Sequence, residues 1–135
     1  MIRRSRFLLD TNILSDLIHY PHGRVAQRIM QFGAESVCTC MIVVCEIRYG
    51  LLKKGSSRLI RQAERILDEI EILPLEQPME NAYAEIRTTL ERAGTPIGAN
   101  DLLIAAQAKT LGLTLVTDNI GEFSRVEGLS VVNWR

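Results

Sequence analysis

The sequence predicts an α/β fold, with a central parallel sheet of about five strands and helices on both of its faces. Short β-rich runs alternate with helical stretches across the whole chain, the pattern that parallel sheets require. At 135 residues the chain has the length of one domain with one sizeable core. No linker, repeat or low-complexity tract interrupts it, so 1–135 reads as a single domain.

The elements follow in order. Residues 6–10 (RFLLD) read as a first strand, and a helix from Thr11–Asn12 to about His19 is broken by Pro21 and Gly23. Residues 24–32 read as a helix that stops at Gly33. Residues 36–40 form a second strand, and a helix carrying Glu46 follows, ending between Leu52 and Gly55. Ser57 is the expected cap of the next helix. There Leu59, Ile60, Ala63, Ile66, Leu67 and Ile70 share one face of a 3.6-residue period. Residues 72–75 make a short third strand. Pro78 suits the first turn of a helix that turns Ala82, Ile86 and Leu90 inward and stops at Gly94. The loop TPIGAN leads to a helix from about Asp101 to Leu111, closed by Gly112. Residues 113–117 and 129–134 are the fourth and fifth strands.

Hydrophobic residues make up 47% and charged residues 24%, the balance of an ordinary globular chain. Sixteen basic residues offset sixteen acidic ones, so net charge makes no case for nucleic acid. A polyanion would have to meet local patches, for which Arg3, Arg4 and Arg6, and Arg58, Arg61 and Arg65, are candidates, although solvated surface is the ordinary use of such residues. No segment approaches a membrane span or a signal peptide. Cys38, Cys40 and Cys45 are odd in number and close together in an apolar run. They read as core residues of a reduced, cytoplasmic protein rather than as disulfides or a zinc site. His19 and His22 lie together beside Pro21, away from the acids, which argues against Ser–His–Asp chemistry. No phosphate-binding glycine motif for ATP or NAD is present.

Acidic residues collect at the predicted carboxyl ends of the strands, where ligands bind in open α/β sheets. Asp10 ends the first strand, Glu46 lies on the helix after the second, Asp101 opens the helix before the fourth, and Asp118 follows Thr117. Asp10 and Asp101 each also fit as helix caps. Glu46 has the apolar neighbours Val43, Val44, Cys45 and Ile47, a costly setting for a solvated acid. Converging carboxylates repel unless a cation neutralises them, and oxygen donors without His or Cys select Mg²⁺ or Mn²⁺. Such a site suits phosphodiester hydrolysis.

Several stretches together resemble a known family. LLDTNILSDLI is similar to the opening of PIN domains, in particular VapC-type toxins of type II toxin–antitoxin (VapBC) systems. The resemblance continues through VVCEIRYGL, GTPIGANDLLIAAQAKTLGLTLVT and DNIGEFSRVEGLSVVNW, covering almost the whole chain. It implies a PIN-like fold and a metal-dependent endoribonuclease that cuts RNA, often tRNA. It further implies a homodimer, inhibition by a cognate VapB-type antitoxin, and Asp10, Glu46 and Asp101 as metal ligands and catalytic acids. A fourth acid of the family aligns with Asn119, so Asn119, Asp118 and Glu122 remain alternatives there. Thr11, Asn12 and Thr117 are expected to orient the acids or a water. Gly94 and Gly98 serve the loop before Asp101, and Phe123 and Trp134 read as core anchors rather than base-stacking platforms.

Two rival readings remain. A non-catalytic PIN-fold protein that only binds a partner would be marked by loss of an acid, and three are present. An aspartate-nucleophile phosphatase would need a second aspartate where Asn12 stands and a better-placed lysine than Lys109.

Overall fold

In the computed structural model, which describes residues 5–135, five strands form one parallel sheet in the order β3-β2-β1-β4-β5. The strands are β1 (Phe7–Leu9), β2 (Val37–Cys40), β3 (Glu71–Leu73), β4 (Thr114–Val116) and β5 (Val131–Val132). The helices are α1 (Thr11–His19), α2 (Arg24–Phe32), α3 (Met41–Lys54), α4 (Ser57–Glu69), α5 (Met79–Arg92), α6 (Ala99–Leu111) and α7 (Ile120–Phe123). Arg3 and Arg4, two of the candidate basic residues, lie outside the described residues.

The chain winds outward from β1 to β3, then crosses back to β4 on the other side of β1. Parallel crossovers are right-handed, so this reversal sends α5–α7 to the face opposite α1–α4. Helix α1 packs on α2, α3 and α4, α3 packs on α4, α5 packs on α6, and α3 also meets α6. The reversal also opens the sheet's carboxyl edge between β1 and β4, the crevice where such sheets bind ligands.

The central strands are apolar without alternation, as burial on both faces demands. Leu8, Leu9, Leu115 and Val116 are fully buried. On α4, Leu59, Ala63 and Leu67 form the buried line, with Ile60, Ile66 and Ile70 packed at its margin. Phe123 and Trp134 are core residues as expected: Trp134 is 6% exposed and stacks on Phe32 with ring centroids 5.5 Å apart. Cys38 and Cys40 are buried, but Cys45 is exposed on the outer side of α3, so the core reading fails there. No described helix is long and apolar enough to cross a membrane.

Boundaries differ from expectation where side chains override local pattern. The cap of α4 is Ser56, whose hydroxyl accepts from the Leu59 N–H, and Ser57 is the first helical residue. Pro78 sits just outside α5. Helix α6 begins two residues before Asp101, with Gly98 at its cap position, so Asp101 stands in the first turn and caps nothing. The short helix α7 was not anticipated, because four residues are too few to show a period.

Candidate active site

The carboxyl ends of β1 and β4 are hydrogen-bonded neighbours, and the Asp10 N–H donates to the Val116 carbonyl at 2.9 Å. That pairing sets Asp10 against Thr117. Both are buried, Asp10 at 6% and Thr117 at 0% exposure. The Thr117 hydroxyl donates to Asp10 Oδ2 at 2.7 Å, and the Thr11 N–H donates to Oδ1 at 2.8 Å. Asp10 therefore occupies the cap position of α1, as its sequence position allows, while its second oxygen is fixed from β4.

Glu46 enters from the second turn of α3. The Thr11 hydroxyl donates to its Oε1 at 2.7 Å, so Thr11 holds two acids at once, one through its backbone and one through its side chain. Thr39 on β2 donates to the Leu9 carbonyl at 2.9 Å, steadying the strand just before Asp10.

Asp101 and Glu122 form the other side. Glu122 Oε1 accepts from the Gly98 N–H at 2.9 Å, and its Oε2 accepts from the Asn119 side-chain amide at 2.8 Å. Those donors lower the Glu122 pKa, and Gly98 contributes most. Asp101 moves the opposite way, to about 7, through burial first and then its hydrogen bond and charge contact with Glu122. The proton of this pair therefore resides on Asp101, which donates it to Glu122. Burial also raises the Asp10 pKa, against the lowering by Thr117 and Thr11, with Glu46 and Asp118 adding to the rise.

The remaining candidates divide. Asp118 turns to the rim, where Asn12 Nδ2 donates to it at 3.0 Å and Arg135 Nη1 at 2.8 Å. Asn119 donates from its backbone to Thr117 Oγ1 at 3.0 Å and from its side chain to Glu122. Of the three alternatives after β4, Glu122 is thus the acid beside Asp101. It went unassigned in sequence because its approach depends on the unpredicted α7 and on a Gly98 N–H that no side-chain pattern reveals.

The donor set fits a hard divalent cation. It is all oxygen, and among the described residues no Lys or Arg ion-pairs with Asp10, Glu46 or Asp101. The acids line the crevice without closing into a cage. Among the described residues no three His, Cys, Asp or Glu side chains are grouped as a formed metal site. A thiol nucleophile is excluded at Cys40, where burial lifts the pKa to about 11.

Residues 7–129 match the family described as PIN domain. The chain is 35% identical over 130 residues to a ribonuclease VapC2 of Rickettsia felis, covering 95% of this chain and 97% of the relative. It is 30% identical over 130 residues to a tRNA(fMet)-specific endonuclease VapC of Salmonella typhimurium, covering 96% and 98%. Among solved structures, VapBC2 from Rickettsia felis bound to a DNA fragment from their promoter aligns with a TM-score of 0.88 at 33% identity. That alignment covers 96% of this chain and 98% of the other.

Proposed function

The chain belongs to the PIN-domain family, and from that premise we propose that it is an endoribonuclease toxin of a toxin–antitoxin pair, with Asp10, Glu46 and Asp101 as its catalytic acids. The observation that carries the reading is the crevice between β1 and β4. There Asp10 is held from both sides, Glu46 and Asp101 lie close enough to act on its charge, Glu122 stands behind Asp101, and among the described residues no Lys or Arg ion-pairs with Asp10, Glu46 or Asp101. We assign Glu122 the fourth position on the strength of its contact with Asp101.

Asp10, Glu46, Asp101 and Glu122 would hold Mg²⁺ or Mn²⁺, which supplies charge neutralisation and activates a water for attack on phosphorus when bound. The protein groups prepare that chemistry. Thr117 and Thr11 lock the Asp10 carboxylate in one rotamer, so no reorganisation is needed when substrate arrives. Thr11 couples the position of Glu46 to that of Asp10. In the metal-free protein Asp101 keeps a proton toward Glu122, which it would release in order to hold the cation.

By likeness to the Rickettsia felis complex, the partner is a VapB-type antitoxin, and by likeness to the Salmonella typhimurium enzyme the substrate is RNA, with tRNA as the first candidate. A homodimer is supported by the outward side of α3, where Met41, Tyr49 and Leu52 are exposed at 44%, 66% and 80%. A cytoplasmic setting accords with three cysteines, Cys38, Cys40 and Cys45, none of which is in a disulfide.

The test is cleavage of total bacterial RNA by wild type and Asp10→Asn, with Mg²⁺ or Mn²⁺ and with EDTA. Discrete fragments with 5′-phosphates, lost on chelation and in the variant, are expected. Equal cleavage by both proteins would remove Asp10 from the mechanism.

A further inference from the structure

Helix α2 carries a polar stripe. Arg24, Gln27, Arg28 and Gln31 recur at helical spacing and so share one side. Together with Asn133 and Arg135 they wall a groove of about 360 Å³, with Trp134 as the remaining lining residue and no Asp or Glu. A second hollow of about 430 Å³ shares Arg24 and Arg135 with the first and adds Tyr20, Gly23 and two acids, Asp16 and Asp118, both of them paired with Arg135. The two adjoin at Arg24 and Arg135 and are taken together as one track. It ends at Asp118, which accepts from Asn12, two residues from Asp10.

The arginines along this track are not equivalent. Arg135 is committed, to Asp16 at 3.2 Å and to Asp118 at 2.8 Å. Arg24 and Arg28 have no acidic partner among the described residues, and Arg28 donates only to Gln31 Oε1 at 3.4 Å. They stand one helical turn apart, about 5–6 Å between Cβ atoms, close enough for each to take one of two neighbouring anionic groups. Tyr20, at 62% exposure, lines the second hollow and rests one edge against His19, with ring centroids 6.3 Å apart and the planes tilted by 44°, which leaves most of its ring open to solvent. A chain of net charge zero has no global field to draw in a polyanion, so cations without an acidic partner among the described residues set where the polyanion lies.

We propose that this track binds the phosphate backbone of RNA beyond the scissile bond, with Arg24 and Arg28 each pairing with a phosphate and Tyr20 stacking on a base. The assignment rests on the ribonuclease reading above. An acidic peptide would match the two arginines, but the exposed ring on the same track favours nucleic acid.

The experiment uses the non-cleaving Asp10→Asn protein and fluorescently labelled bulk bacterial tRNA over a series of KCl concentrations. Arg24→Ala/Arg28→Ala should weaken binding about tenfold or more at low salt and lower the slope of log K against log salt by about two. Arg24→Lys/Arg28→Lys should keep the slope, and Tyr20→Ala should weaken binding at unchanged slope. Arg87→Ala, whose guanidinium is already paired with Glu91, should match the parent. An unchanged slope in the double alanine variant overturns the proposal even if affinity falls, because a merely structural effect carries no counterion signature. Unchanged tRNA binding with lost binding of poly-glutamate assigns the track to an acidic peptide and also overturns it. So does a parent protein that binds no tRNA at any salt. Wild-type cleavage is scored separately, so a failure here with cleavage intact leaves the nuclease reading standing.

Discussion

The Thr117 hydroxyl donates to Asp10 Oδ2 at 2.7 Å, joining the last turn of two neighbouring strands that are 107 residues apart in sequence. The bond lies in a fully buried position and is the strongest side-chain influence lowering the Asp10 pKa against burial.

Thr117→Val should therefore leave the fold intact while freeing the Asp10 carboxylate. We expect cleavage of RNA to fall about 10- to 100-fold and stability to fall by about 1–2 kcal/mol. Thr117→Ser should restore both. Initial rates and urea unfolding of the three proteins check this, and equal rates in Thr117→Val would show that the hydroxyl does not position Asp10.

The raised Asp101 pKa has a defined sign. The folded chain holds this proton to about pH 7, whereas the ordinary value is 3.8, so the folded state binds more protons between those values. Stability of the metal-free protein should fall as pH rises through that window. Asp101 is only partly buried, so solvent screening reduces the effect to about 1 kcal/mol, or a few degrees of melting temperature. Asp101→Asn should flatten the dependence in thermal melts from pH 5 to pH 8. A wild-type midpoint that climbs with pH over this range would contradict the assignment.

Metal affinity separates the three residues after β4. Glu122→Gln should weaken Mn²⁺ binding at least tenfold, because Glu122 is the charge beside Asp101. Asp118→Asn should change it little, since Asp118 is spent on Asn12 and Arg135. Asn119→Ala should fall between them, because it releases Glu122 without removing its charge. Calorimetric titration of Mn²⁺ into each variant gives the order, and Asp118→Asn as the weakest binder would reverse it.

Trp134 is the single tryptophan, buried against Phe7 and Phe32 at centroid distances of 4.9 and 5.5 Å. Its emission should be blue-shifted in the native protein and move red on unfolding. Trp134→Ala should cost about 3–5 kcal/mol, and Trp134→Phe distinctly less. Denaturant curves followed by circular dichroism measure both. A loss under 1 kcal/mol in Trp134→Ala would show that the aromatic cluster is not part of the core.

Much of this protein was legible from residue order because its signals are local. Alternation of strand and helix, the apolar central strands and the periodic face of α4 depend on near neighbours, and the sheet follows from them. The acids were legible in the same way, since Asp10, Glu46 and Asp101 each sit at a predictable point relative to a strand or helix end. The resemblance to PIN domains rested on those same stretches. What residue order could not settle was pairing. Whether Asp118, Asn119 or Glu122 stands with Asp101 depends on a four-residue helix and on one backbone N–H from Gly98, features with no period and no side-chain signature. The capping of α4 by Ser56 rather than Ser57, and the commitment of Arg135 to two acids while Arg24 and Arg28 have no acidic partner among the described residues, are likewise decided only when distant segments meet. Hydrophobic periodicity is written along the chain, whereas hydrogen-bond partnership and the resulting pKa values are properties of three-dimensional proximity.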